Sequence, residues 1–232
     1  MSPTRPALIE SAGHWNYGEL SVAIARAGEL LARAAVRRGD RVMIVSENCR
    51  AAVALFLAAT ESGAWPVMVN PRLSAPEMHT ICHHCGARRV FFTAGLTPQA
   101  RAHAERYRAV VQDLAGLDGL SMGPLNQEAA PEEGEKARSD DVAALVYTSG
   151  STSMPKAVML THRNLLFIAT ASGTIRSLAP ADRLYAALPM SHIVGLSVVT
   201  LGALMHGASL YLYPRFNPAE ALASLERDRL TI

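Results

Sequence analysis

The chain has 232 residues, half of them hydrophobic, and a formal net charge of +2, enough for one large or two small domains with a real core. Basic and acidic residues are mixed along it and aromatic side chains are sparse, which excludes a basic nucleic-acid surface, a base-stacking platform and an acidic solvating tail. Cys49, Cys82 and Cys85 form no disulfide framework, and MSPTRPALIE lacks the apolar core of a signal peptide, so a reducing cytoplasm is the expected compartment.

In chain order, GELSVAIARAGELLARAAV places Leu20, Ile24, Ala27 and Leu31 on one helical face. Gly39-Asp40 ends it, and RVMIV reads as a short buried strand. RAAVALFLAATESGA is a second helix and PVMVN a second strand. SAPEMHTICHHCGA opens with Ser74 and Glu77 at capping-box spacing, turns Met78, Ile81, Cys82 and Cys85 inward, and stops at Gly86. RRVFFT, TPQARAHAERY and AVVQDL follow as strand, helix and strand. Strands alternating with crossover-length helices predict an α/β fold: parallel sheets with helices on both faces. Residues 1–120 form the first α/β subdomain in this reading.

Residues 121–141 carry Gly, Pro and charges without apolar period, the pattern of a solvated connector. A second α/β segment, 142–232, continues with strand VAALVYT, a hydroxyl-rich loop, strand AVML and helix RNLLFIATAS. Strand RLYAAL, loop PMSHIVG, a buried helix, strand ASLYLY and helix NPAEALASLERDR complete it. No repeat of fixed period occurs. From Leu184 to Pro214 there is no Asp, Glu, Lys or Arg. A membrane span needs roughly 20 mostly apolar residues, and Pro189, His192, Gly195, Gly202, His206 and Gly207 interrupt this one, so a buried helix followed by a buried strand is expected instead. The closing LTI reads as the opening of another strand, and the chain is accordingly expected to be a piece of something longer.

VYTSGSTSMPKAVMLTH, residues 146–162, carries the chemistry. Short Ser, Thr and Gly residues let backbone N–H groups converge on an anion, hydroxyls add donors, and a lysine supplies a compact positive charge for phosphate oxygens. The Walker A loop, G-x-x-x-x-G-K-S/T, is the first comparison. Aligned on Lys156, Gly150 fits, but Pro155 replaces the second Gly and Ala157 the magnesium-binding hydroxyl, and a strand follows where a helix is required. Walker A fails.

The stretch resembles the phosphate-binding motif of adenylate-forming enzymes, the family of acyl- and aryl-CoA synthetases: Tyr/Phe-Thr-Ser-Gly-Ser/Thr-Thr-Gly-x-Pro-Lys-Gly-Val, then Thr-His. Tyr147, Thr148, Ser149, Gly150, Ser151, Thr152, Pro155, Lys156, Val158, Thr161 and His162 fit it. Two positions depart: Ser153 and Ala157 stand where the family has Gly. A φ > 0 at residue 153 would cost a serine on the order of 1 kcal/mol, and Ala157 could crowd a close backbone approach, so weakened nucleotide binding is expected. NYGEL, RGDRVMI, ESGAWPVMVNPRLSAPEM and CGARRVFF follow the order of the family's N-terminal region. ALPMSHIVGL is similar to its next motif, P-x-x-H-x-x-G, with Pro189, His192 and Gly195 in register. CHHC at residues 82–85 holds zinc-type residues, but on a helix and without a second pair to complete four ligands; no metal site is read there.

The resemblance implies a two-step reaction: a small-molecule carboxylic acid and ATP give an acyl-adenylate and pyrophosphate, then coenzyme A displaces AMP. It implies that Thr148, Ser149, Gly150, Ser151, Thr152 and Ser153 wrap the phosphates with Lys156 and Mg²⁺, and that His192, beside Gly195, borders the acid. The family's adenine-contacting Tyr-Gly-x-Thr-Glu, ribose-binding Asp, hinge and catalytic C-terminal lysine do not occur in these 232 residues. The chain alone is therefore expected to be inactive. A non-catalytic remnant or interaction protein of the same fold is the alternative, and a P-loop phosphotransferase is disfavoured. The identity of the acid and the oligomeric state are not legible.

Overall fold

The computed structural model describes residues 2–132, 140–148 and 155–232. Its elements in chain order begin with β1 (Pro6–Glu10), β2 (Gly13–Asn16), α1 (Tyr17–Arg33), β3 (Arg41–Val45), α2 (Arg50–Glu61) and β4 (Trp65–Val69). They continue with α3 (Ala75–Cys85), β5 (Arg89–Phe92), α4 (Pro98–Arg106), β6 (Val110–Val111), β7 (Ser121–Met122), β8 (Val142–Thr148) and β9 (Lys156–Thr161). Last come α5 (His162–Ile175), β10 (Arg183–Ala186), a π-helical turn (Val194–Leu201), α6 (Gly202–His206), β11 (Ser209–Leu212) and α7 (Pro218–Arg227). They gather into two compact units, one of residues 23–47 and 51–162, the other of 1–22, 48–50 and 163–232.

The first of these units is a seven-stranded sheet in the order β6-β7-β5-β3-β4-β8-β9. Its centre is parallel: β3 pairs β4 with Ile44 opposite Met68, β3 pairs β5 with Ile44 opposite Phe91, and β8 joins β4 at Val67–Leu145. These are the continuous apolar runs of the sequence, buried because helices cover such strands. The edges are antiparallel, a departure from uniform βαβ winding. AVVQDL contributes only Val110 and Val111, both exposed, and their partner β7 lies inside the 121–141 stretch read as connector. Two residues paired at an edge leave no periodic trace.

α3 is fixed at both ends as its sequence indicates. The Glu77 amide donates to Ser74 Oγ at 3.4 Å while the Ser74 amide donates to Glu77 Oε2 at 2.8 Å. Gly86 closes the helix in the left-handed region, φ 59°, its N–H reaching the Cys82 and His83 carbonyls. Met78, Ile81 and Cys85 pack on Met43, Val67 and Leu145 in one core cluster.

The second unit is a four-stranded sheet, β10-β11-β1-β2. β10 and β11 are parallel, Leu184 opposite Leu210, and β1 runs parallel to β11 on its other side, Leu8 opposite Leu210. β1 and β2, a hairpin absent from the sequence reading, thus put the first 22 residues with residues 163–232 instead of with the rest of 1–120. The cause is non-local: β1 gains its parallel partner from about two hundred residues downstream. Arg50 seals this arrangement, its backbone N–H and Nε donating to Glu10 at 3.0 and 2.7 Å, with the guanidinium 4.9 Å above the Trp15 ring. Thr231 and Ile232 run beside β10, where the Thr231 amide donates to Arg183 O and the Tyr185 amide to Ile232 O. The uncharged stretch from Leu184 to Pro214 is divided among β10, the π turn, α6 and β11. Among the described residues no helix is long and apolar enough to cross a membrane.

Candidate functional site

β8 and β9 form an antiparallel hairpin. β8 is buried along Ala143–Val146 and emerges at Thr148, which is exposed. The ladder runs Leu145–Met159, Val146–Val158, Tyr147–Ala157 and Thr148–Lys156. Two residues singled out by the motif, Thr148 and Lys156, are therefore directly opposed partners. Ser149, Gly150, Ser151, Thr152 and Ser153 lie outside the described residues. Ala157, one of the two departures from the motif, sits in regular strand opposite Tyr147, and it is not among the non-glycine residues with positive φ. A methyl group there meets no conformational penalty.

Tyr147, one step before Thr148, packs partly buried against the core cluster that holds Cys85. Its hydroxyl lies 2.7 Å from His84 Nδ1, the rings edge-on at 5.7 Å and 83°. Burial pushes the Tyr147 phenol well above its ordinary range, with smaller contributions from Cys85 and Cys82. The hydroxyl keeps its proton at neutral pH and shares a hydrogen bond with His84 Nδ1, the donor set by the imidazole tautomer. The CHHC segment thus serves as packing and a tether. Burial raises the Cys85 thiol to about 12 and also raises Cys82. Among the described residues no three His, Cys, Asp or Glu side chains converge as a metal site.

The second motif, Pro189 to Gly195, belongs to the other unit. It is a backbone construction. A Cβ on Gly195 would lie 2.2 Å from Pro189 O and 2.5 Å from Leu188 O, so only glycine lets the π turn start beside that loop. The His192 amide donates to Pro189 O at 3.0 Å, and the Val194 amide to His192 Nδ1 at 3.3 Å. The imidazole is exposed, not packed in a core. A π-helical turn follows directly, a geometry that frequently marks functional sites.

Asn48 was not singled out by the sequence. Buried, it donates through Nδ2 to Ala186 O (2.9 Å) and Leu188 O (2.8 Å), and its Oδ1 accepts from the Met190 amide at 3.0 Å. All three partners flank Pro189, so Asn48 holds the motif's loop. The available signal was positional: SENCR stands at the carboxyl end of the central parallel strand, where α/β proteins place their ligands. His84 was likewise missed, because its partner is 63 positions away.

The family model for AMP-binding enzymes matches residues 1–232. A feruloyl-CoA synthase from Amycolatopsis is 34% identical over 232 residues, covering 100% of this chain and 45% of the relative. A long-chain-fatty-acid–CoA ligase from Mycobacterium tuberculosis is 30% identical over 237 residues, covering 100% and 46%. Among solved structures, the O-succinylbenzoate coenzyme A synthetase of Bacillus subtilis in complex with ATP and magnesium ion is 29% identical, with a TM-score of 0.77 over 100% of this chain and 60% of that one. ATP-bound MatB from Rhodopseudomonas palustris is 26% identical, with a TM-score of 0.77 over 97% and 45%. The chain spans about half the length of the curated relatives it matches.

Proposed function

Because the chain belongs to the AMP-binding enzyme family, we propose that it forms the phosphate-gripping portion of an ATP-dependent acid–coenzyme A ligase. The observation that supports this most directly is the β8–β9 register. It pairs Thr148 directly opposite Lys156, the two motif residues that flank the hydroxyl-rich stretch in the sequence. Converging main-chain N–H groups, small hydroxyls and one lysine are the chemistry a triphosphate requires.

In this reading a carboxylate oxygen of the acid attacks the α-phosphorus of ATP. The bond to the bridging oxygen of the β-phosphate breaks, pyrophosphate leaves, and an acyl-adenylate remains. The coenzyme A thiol, losing its proton, then attacks the acyl carbon and AMP departs. Lys156 offsets charge growing on the leaving pyrophosphate. Thr148 and Ser149, Gly150, Ser151, Thr152 and Ser153 orient the β- and γ-phosphates, and His192, beside Gly195, borders the acid. Mg²⁺ held on the nucleotide's phosphates would neutralise their charge. The relatives are named for aryl and fatty acyl substrates, so the acid is read as one of these classes and the setting as cytoplasmic. Acyl-CoA formation is assigned to an enzyme of the relatives' length, of which this chain spans about half, and these 232 residues by themselves are read as inactive.

Titration calorimetry with Mg·ATP tests the reading. The wild-type chain binds, and Lys156→Ala binds about tenfold more weakly or worse, as for loss of a hydrogen bond to a charged group. Equal binding by both overturns the phosphate-site assignment.

A further inference from the structure

We propose that His84 is a positioning residue for the nucleotide site, acting through the Tyr147 hydroxyl to hold the exit of β8 in place. The proposal rests on the phosphate-site reading of Thr148 and Lys156. An exposed histidine on a helix usually has no task. This one is set apart by what it touches and by how firmly it is mounted.

α3 is a fixed post, closed by the Ser74–Glu77 capping box at its start and by Gly86 at its end. His84 stands in its last turn, two residues before that glycine. From there Nδ1 meets the Tyr147 hydroxyl at 2.7 Å. The Tyr147 ring is held from below by the cluster that contains Cys85 and Leu145, so the side chain is secured along its length and at its tip. Tyr147 pairs with Ala157, and the next rung is Thr148 with Lys156. Among the described residues the ladder runs up to that rung. The tyrosine is the anchored member of the rung before it. His84 therefore restrains two candidate phosphate contacts without touching a phosphate.

The chain has two lysines, Lys136 and Lys156, so a lysine-specific protease reports on the β8–β9 end directly. Cleavage after Lys136 serves as the internal reference. In His84→Ala, cleavage after Lys156 relative to Lys136 rises, and Mg·ATP affinity falls about two- to twelvefold, the span for one neutral hydrogen bond. Tyr147→Phe gives the same change. The double variant is no worse than either single one, because both remove one interaction. His84→Asn, which offers an acceptor near the position of Nδ1, restores both readouts. The proposal is overturned by a wild-type chain that binds Mg·ATP while His84→Ala binds equally well. It is also overturned if His84→Asn behaves as His84→Ala in both assays. A wild-type chain that binds no Mg·ATP overturns the phosphate-site reading itself, a separate result.

Discussion

Thr148 stands directly opposite Lys156 in the β8–β9 ladder. A motif written along the chain as two residues eight positions apart becomes, in space, two facing side chains on adjacent strands. The strand pairing sets their separation. This bears on Ala157, which occupies a position where the resembled motif has glycine.

Ala157→Gly is expected to leave Mg·ATP affinity unchanged and to lower stability by about 0.5–1 kcal/mol, the usual cost of glycine inside a strand. Ala157 has an ordinary strand conformation, so glycine gains nothing there. Calorimetry and urea unfolding check the two halves, and tighter nucleotide binding by the glycine variant would sink the argument.

Gly195→Ala is expected to be costly. The new methyl would meet Pro189 O at 2.2 Å and Leu188 O at 2.5 Å, both backbone atoms that cannot swing aside. Overpacking of this kind costs about 1–3 kcal/mol. A fall in the urea midpoint with an unchanged slope is the expected signature.

Asn48→Ala removes two donors and one acceptor serving Ala186, Leu188 and Met190. Buried polar groups left without partners cost about 1–3 kcal/mol each, and partial rehydration of the loop should hold the total near the upper end of a single loss. Hydrogen exchange of the Met190 amide should accelerate more than that of strands β3 or β4. Uniform acceleration across the chain would show that Asn48 has no local role.

Cys85 sets an alkaline limit. Burial holds its thiol protonated to about 12, whereas an unfolded chain releases that proton near pH 8.5. Between these values the folded state binds more protons than the unfolded one. Stability is therefore complete below roughly pH 8.5 and falls as pH rises toward 12, by up to about 1.4 kcal/mol per unit. The Tyr147 phenol, also raised by burial, adds to the decline above pH 10 or so. Thermal melts from pH 7 to 11 should show the fall, shallower in Cys85→Ala. At pH 8 a thiol alkylating reagent should modify native Cys85 far more slowly than the unfolded chain. Equal rates would contradict its burial.

Sequence reading located β3, β4, β5 and β8 within a residue or two and both caps of α3, and it framed the two motifs. It lost the β6–β7 edge, whose two-residue strands are too short for a period to register, and the β1–β2 hairpin, whose parallel partner β11 lies about two hundred residues away. Of the candidate site, it named Thr148, Lys156, His192 and Gly195 and passed over Asn48 and His84.

The difference has one physical cause. Caps, apolar alternation and turn glycines act between residues a few positions apart, so the amino-acid order alone determines them. The pairing of Leu8 with Leu210, the grip of Asn48 on residues 186–190 and the bond from His84 to Tyr147 join positions 63 to 202 apart. Each of those partners was chosen only when the sheets closed and brought distant strands and loops within hydrogen-bonding reach.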